Sequence, residues 1–248
     1  MPNSIEGKTA LVTGAAGTMG LAVARAFLQE GATVVMADVA QKRLQEMASA
    51  FGEKAVPVFL DVTDPQAIER ELERLRDSVG SVDILVNNAG ILSKNKSQAT
   101  TPEEWRRVVE INLNGMFYLS RAVIPGMQAK GWGRIVNVSS LAAQTGGLTA
   151  GTAYAASKGG VIALTRSLAA ETAPYGITAN AIAPAYVKTP MVTEQLTEGE
   201  RQAILTKIPV GRFCEPEEFA HVVLFLASPM AGFITGDVIN LNGGLYFN

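Results

Sequence analysis

Seven short apolar runs, few of which alternate cleanly with polar residues, constrain this chain most. They are TALVT (9–13), TVVMAD (33–38), AVPVFLD (55–61), DILVNNAG (83–90), RIVNVSS (134–140), ITANAIA (177–183) and DVINLNGG (237–244). A strand apolar on both of its faces is buried on both, which points to a parallel sheet covered by helices on either side. Helical patterns fill the intervals, over 17–30, 41–51, 102–129 and 152–173, with a further helix opening at Asp64–Pro65. Asp64 and Pro65 suit the N-cap and first helical position, and Thr101, Pro102 and Glu104 make a strong helix start. The expected fold class is therefore α/β, a doubly wound, seven-stranded parallel sheet flanked by helices.

With 48% hydrophobic and 18% charged residues over 248 positions, the chain has ample material for a core. No linker or composition break divides it, so one domain over 1–248 is expected. Residues 186–215 interrupt the rhythm with mixed polarity, and a segment there would lie beyond the carboxyl ends of the strands as a substrate lid. A net charge of -2 offers no basic surface for nucleic acid or anionic membrane. The single cysteine, Cys214, fits a reducing compartment, and the longest apolar tract is broken by Pro229 and is too short to span a bilayer. MPNSIEGK has no signal-peptide layout, so a cytoplasmic protein is expected.

The first strand runs into TGAAGTMG, with glycines at Gly14, Gly17 and Gly20. A glycine turn feeding a helix N-terminus presents backbone N–H groups to phosphate, although the spacing is not G-x-G-x-x-G. The second strand ends in Asp38, 18 residues after Gly20. An acid there accepts hydrogen bonds from ribose hydroxyls and repels the extra phosphate of NADP; it could also N-cap the next helix with Gln41 as partner.

In YAASK, Tyr154 and Lys158 stand four apart and share one helix face. A tyrosine titrates near pH 10, so bringing it toward neutrality takes about 3 pKa units, roughly 4 kcal/mol, of preference for the phenolate. A neighbouring ammonium and an oxidised nicotinamide ring could supply it. Alone, the pair reads equally as a half-buried Tyr beside a solvated Lys. Gly159 and Gly160 follow inside the same helix, each costing about 1 kcal/mol there, which suggests a close approach against it.

Together these residues resemble the short-chain dehydrogenases/reductases over nearly the whole chain, and in particular the 3-oxoacyl-acyl-carrier-protein reductase-like subgroup. The resemblance implies a single-domain Rossmann fold and a homotetramer. TGAAGTMG is similar to the family's TGxxxGxG loop, implying cofactor contacts from Gly14, Gly17, Thr18, Met19 and Gly20. LDVTD resembles the adenine-contacting segment around Asp61 and Val62, and NNAG the fourth-strand motif of Asn88, Ala89 and Gly90. NAIAPAYVKTPM resembles the sixth-strand motif, implying contacts from Pro184, Val187 and Thr189, with Ala185 where the family usually has glycine. INLNG, NVSS and YAASK place the family's catalytic residues on Asn112, Ser140, Tyr154 and Lys158. Asn114 and Ser139 are the adjacent decoys.

The implied reaction is hydride transfer between a nicotinamide cofactor and a secondary alcohol or ketone. Tyr154 would be the general acid/base, Lys158 would hold the nicotinamide ribose and lower the Tyr154 pKa, Ser140 would stabilise developing charge, and Asn112 would anchor a water. Asp38 and the side-chain-free Gly17 argue for NAD(H) over NADP. The subgroup's usual NADPH, and a basic mouth for an acidic carrier built from Lys94, Lys96, Lys188 and Lys207, form the alternative. A non-catalytic nucleotide-binding protein is the other. Gln144, Leu92, Tyr186 and Met191 are the candidate substrate wall, alongside Ser140 and Tyr154. The only histidine, His221, sits in a helical pattern with no hydrolase elbow, and no residue spacing suggests a metal.

Overall fold

The computed structural model describes residues 4–147, 149–194 and 197–247. In chain order the elements are β1 (Thr9–Thr13), α1 (Thr18–Gln29), β2 (Thr33–Asp38), α2 (Gln41–Ser49), β3 (Ala55–Phe59), α3 (Pro65–Val79), β4 (Ile84–Asn87) and α4 (Pro102–Val109). They continue with α5 (Gly115–Lys130), β5 (Gly133–Val138), α6 (Ala142–Thr145), α7 (Thr152–Thr172), β6 (Ile177–Pro184), α8 (Pro190–Thr193), α9 (Glu198–Leu205), α10 (Pro216–Ala227) and β7 (Val238–Leu241).

The described residues form one seven-stranded sheet in the order β3-β2-β1-β4-β5-β6-β7, and every pairing is parallel. The strands carry apolar residues on both faces because the sheet feeds two cores. Ala10, Val12, Val34, Met36, Ile84 and Val86 face one layer with Val23 and Phe27 of α1 and Phe219 and Val223 of α10. The intervening Leu11, Val35 and Leu85 face the other with Ile68 of α3, Leu119 and Val123 of α5 and Leu168 of α7. Each large side chain buried this way contributes about 1.5–3 kcal/mol. Pro57, which cannot donate to a ladder, lies on the edge strand β3.

The helix starts follow their sequence signals. Asp64 accepts from Ala67 N at 2.9 Å, and Thr101 accepts from Glu104 N at 3.1 Å. The helix expected over 102–129 is interrupted. Between α4 and α5 the chain takes a π-helical turn, Glu110–Asn114, that rotates Asn112 fully inward. There the Asn112 amide accepts from Ile91 N at 2.8 Å and donates to Ile91 O at 2.9 Å. Gly160 packs closely against this turn, where a Cβ would stand 2.7 Å from Leu113 Cδ2 and the leucine side chain would have to shift, whereas Gly159 faces open space. No helix among the described residues is long and apolar enough to cross a membrane.

Candidate active site

The sheet order reverses at β1 and β4, and a cleft of about 650 Å³ opens beyond their carboxyl ends, a size that suits a bound cofactor with a small substrate. Gly14, Gly17, Thr18, Met19, Gly20, Asp38, Asn88, Ala89 and Gly90 line it on one side. Ser140, Tyr154, Lys158, Pro184, Tyr186, Val187 and Thr189 line it on the other.

The glycine loop is shaped by two close approaches. Gly14 has φ +65°, and a Cβ on Gly20 would stand 2.3 Å from Gly14 O. Gly17 is extended and is the N-cap of α1, whose first turn has no side-chain cap and no acidic residue. That leaves backbone donors aimed at the cleft, as a pyrophosphate requires. Thr13 ties the loop to the end of β4: its Oγ1 accepts from Asn88 N and Ala89 N, each at 3.0 Å, while Asn88 Nδ2 donates to Thr13 O at 2.9 Å.

Asp38 does not N-cap α2, whose N-cap is Ala40. Its carboxylate instead accepts from Ala16 N at 3.0 Å and Ala40 N at 2.9 Å, joining the glycine loop to the end of β2. Arg43 lines the cleft at the same end. Its sequence signal was position alone, one turn into the helix after Asp38. Asp61 and Val62 lie outside the cleft lining: Asp61 accepts from Thr63 N at 2.9 Å, and Val62 packs beside Gly115.

At the other end, Ser139 and Ser140, which follow β5, face different surroundings. Ser139 is buried and its hydroxyl donates to Lys158 O at 2.8 Å. Ser140 is half-buried beside Tyr154, and its hydrogen bond lowers the Tyr154 pKa against a larger upward push from burial. The depression expected from Lys158 is not present in this arrangement. Lys158 Nζ donates to Val138 O at 2.7 Å and stands 5.8 Å from the Tyr154 ring centroid, and burial pulls its own pKa down to about 8.

Asn112 is fully buried and does not line the cleft, yet it is adjacent. A Cβ on Gly90 would lie 3.2 Å from Asn112 Oδ1 and 3.4 Å from Lys158 Nζ, so both polar groups converge on this glycine. Asn114 donates to Glu110 at 2.6 Å, away from the site.

On the substrate side, Leu92 and Tyr186 line the cleft, and Tyr186 bonds Thr149 across 3.1 Å. Gln144 does not line it; its amide donates to Asn240 at 2.7 Å. The side chain of Met191 lies outside the described residues. Ile204 and Lys207 line the cleft from within the segment expected as a lid, and Ala150 and Leu245 line it without any local sequence signal, because only the folded chain brings them there. Ala185 is accommodated, since no described non-glycine residue has positive φ. Cys214 bridges to Val187, and burial raises its thiol to about 11, so it is protonated at neutral pH. His221 is exposed on α10.

Of the four lysines considered for a basic mouth, only Lys207 lines the cleft. Lys188 pairs with Glu215 at 3.1 Å, and Lys96 is bonded to backbone carbonyls.

The family described as Enoyl-(Acyl carrier protein) reductase matches residues 14–246. The chain is 43% identical to the 3-oxoacyl-[acyl-carrier-protein] reductase FabG of Vibrio cholerae, covering 98% of this chain and 99% of the relative. It is also 43% identical to FabG of Thermotoga maritima, over 97% and 98%. A crystal structure of a putative gluconate dehydrogenase from Agrobacterium tumefaciens superimposes with a TM-score of 0.94 at 33% identity, covering 99% of this chain and 98% of that one. An enzyme acting on a ketone or alcohol follows, which sets aside the binding-only alternative. The chain belongs to the short-chain dehydrogenase/reductase family, as a Rossmann-type oxidoreductase with a nicotinamide cofactor.

Proposed function

We propose that the protein interconverts a 3-oxoacyl thioester and its 3-hydroxyacyl counterpart. The observation that carries the reading is the placement of Ser140 and Tyr154 together in a cleft whose substrate side is built from Leu92, Leu141, Ala142, Ala150, Val192 and Ile204. Such a wall suits an acyl chain next to one polar reacting group, and the names of the curated relatives support the same class.

A bound nicotinamide supplies the hydride. The backbone donors of the α1 N-terminus would hold its pyrophosphate, Asp38 its adenosine ribose, and Asn88 to Gly90, Lys158 and Pro184 to Thr189 the nicotinamide half. Tyr154 donates its proton to the carbonyl oxygen in reduction and recovers it from the alcohol in oxidation. Ser140 donates to the same oxygen as charge develops there. Lys158, held by Val138 O, keeps a cation behind the pair, and Asn112 holds the backbone of Ile91 beside it. Segment 186–215 acts as the lid, with α8 and α9 forming one wall of the cleft.

The proposed cofactor is NAD(H). The Asp38 carboxylate disfavours a further phosphate, and Gly17 has no side chain to receive one. Arg43 offsets part of that repulsion, so the preference is expected to be moderate. Apolar side chains left exposed, Trp105 and Phe117 on α4 and α5 and Phe233 and Phe247 toward the C-terminus, support self-association, and a cytoplasmic homotetramer is the proposed state.

A second reading, oxidation of a small hydroxy acid, is favoured by Asp38 and by Lys207, a cation on the lid side of the cleft. One assay separates the two: NADH or NADPH oxidation with acetoacetyl-coenzyme A, against NAD or NADP reduction with gluconate. Turnover of the thioester supports the main reading, and turnover of gluconate alone overturns it.

A further inference from the structure

Helix α7, which carries Tyr154 and Lys158, has no side-chain cap at its start: its N-cap is Gly151. Its first N–H groups find partners elsewhere. Gly151 N donates to Ser93 O at 2.7 Å and Thr152 N to Asn95 O at 3.0 Å. The loop after β4 therefore provides the cap that α7 itself lacks. The approach is close because residue 151 is glycine; a Cβ there would stand 2.5 Å from Asn95 O and 2.8 Å from Ser93 Oγ.

Two charged side chains hold this loop. Glu104, in the first turn of α4, accepts from Ser93 Oγ at 2.5 Å and Asn95 Nδ2 at 2.7 Å, and these bonds lower its pKa. Lys96 Nζ donates to Gly147 O at 2.5 Å and Ala150 O at 2.7 Å. Gly147 and Ala150 belong to the connection between Ser140 and Tyr154. That connection passes through two left-handed glycines, Gly146 at φ +73° and Gly147 at φ +77°, so its backbone has wide freedom unless something fixes it. An ammonium can donate to two carbonyls at once, and such charge-assisted bonds are stronger than neutral ones.

We propose that Lys96 and Glu104 are positioning residues for the Ser140–Tyr154 pair, acting as a two-point clamp through the loop 91–100. Neither lines the cleft. Glu104 fixes the loop to α4, and Lys96 fixes the loop to the Ser140–Tyr154 connection, so the separation of the two hydroxyls is set from outside the site. The inference rests on the reading that Ser140 and Tyr154 act together on the substrate oxygen.

The test compares Lys96→Met and Lys96→Arg with the unaltered full chain. Amide hydrogen exchange is followed at residues 151–155, and NADH oxidation with acetoacetyl-coenzyme A across pH. Lys96→Met should speed exchange at Gly151 and Thr152 about tenfold or more, because local opening is eased. It should lower kcat by about 5- to 50-fold with the KM for NADH within about twofold, the size expected when reacting groups are slightly misplaced. The alkaline limb for reduction should move upward as Ser140, whose proximity lowers the Tyr154 pKa, is displaced from it, and Lys96→Arg should restore most of kcat. A merely structural lysine would lower Tm and leave kcat and the alkaline limb unchanged; that result, or unchanged exchange, overturns the proposal. The exchange measurement needs no substrate. Failure of the unaltered chain to turn over the thioester would therefore count against the substrate reading alone, while exchange decides the clamp.

Discussion

Lys158 and Val138 are joined by a 2.7 Å bond from the lysine Nζ to the valine carbonyl, and a second bond runs the other way, from Ser139 Oγ to Lys158 O at 2.8 Å. The pair of bonds locks the middle of α7 to the end of β5 and so sets Tyr154 against Ser140. The two adjacent serines therefore have separable roles. Ser139→Ala should cost about 1 kcal/mol or more of stability, since it leaves a buried carbonyl short of a partner. Ser140→Ala should leave stability almost unchanged and lower kcat about 10²- to 10³-fold. Thermal melts and steady-state rates on both variants check this, with Tyr154→Phe as the comparison that loses turnover while retaining NADH binding.

Burial lowers the Lys158 pKa to about 8 in the folded protein, against about 10.4 in an unfolded chain. Between these values the unfolded chain binds more protons at this residue, so its contribution to stability rises with pH through that window. Below pH 8 both states are protonated and the burial penalty is felt in full. Lys158→Met removes the penalty. Its stability relative to the unaltered protein should be most favourable near pH 7 and should decline as pH rises from 8 to 10, as followed by urea unfolding. A difference independent of pH would contradict the shift.

A methyl group at Gly20 would meet the Gly14 carbonyl at 2.3 Å, and backbone at that distance has no rotamer by which to move aside. Gly20→Ala should destabilise by about 1–3 kcal/mol and weaken cofactor binding, because relief of the clash displaces the α1 N-terminus. Gly159→Ala is the control: its Cβ meets nothing within 4 Å, and a helix-interior alanine should leave the monomer's stability equal or slightly improved. Fluorescence titration with NADH and thermal melts distinguish the two.

Asp38 holds two backbone N–H groups, so its replacement separates selectivity from loop order. Asp38→Asn keeps an acceptor for one of them and removes the charge. The ratio of kcat/KM for NADPH over NADH should rise about tenfold, equivalent to about 1.4 kcal/mol, with little loss of stability. An unchanged ratio would mean that Arg43, not Asp38, governs the choice.

The two-sided apolar runs determined the parallel sheet, because a strand that feeds two cores cannot alternate; Leu11 and Val12 serve opposite layers. The starts of α3 and α4 were legible because Asp64 and Thr101 cap through local bonds. YAASK placed Tyr154 and Lys158 on one helix face, and the glycine spacing marked a loop whose positive φ at Gly14 only glycine adopts readily. What sequence could not yield depended on partners far along the chain. The π turn at Glu110–Asn114 brings Asn112 to both backbone groups of Ile91. Gln144 turned toward Asn240, 96 positions away, and Ala150 and Leu245 reached the cleft from segments with no motif. Nor could spacing reveal that Lys158 spends its ammonium on Val138, leaving burial and Ser140 to govern the Tyr154 phenol. Local hydrogen bonds and periodicity are written in neighbouring residues, so the sequence by itself determined the strands and most of the helices in chain order; burial, and bonds between distant segments, arise only when the sheet closes, so the tertiary structure alone decided the π turn, the company of each group in the site and the pKa shifts of Tyr154 and Lys158.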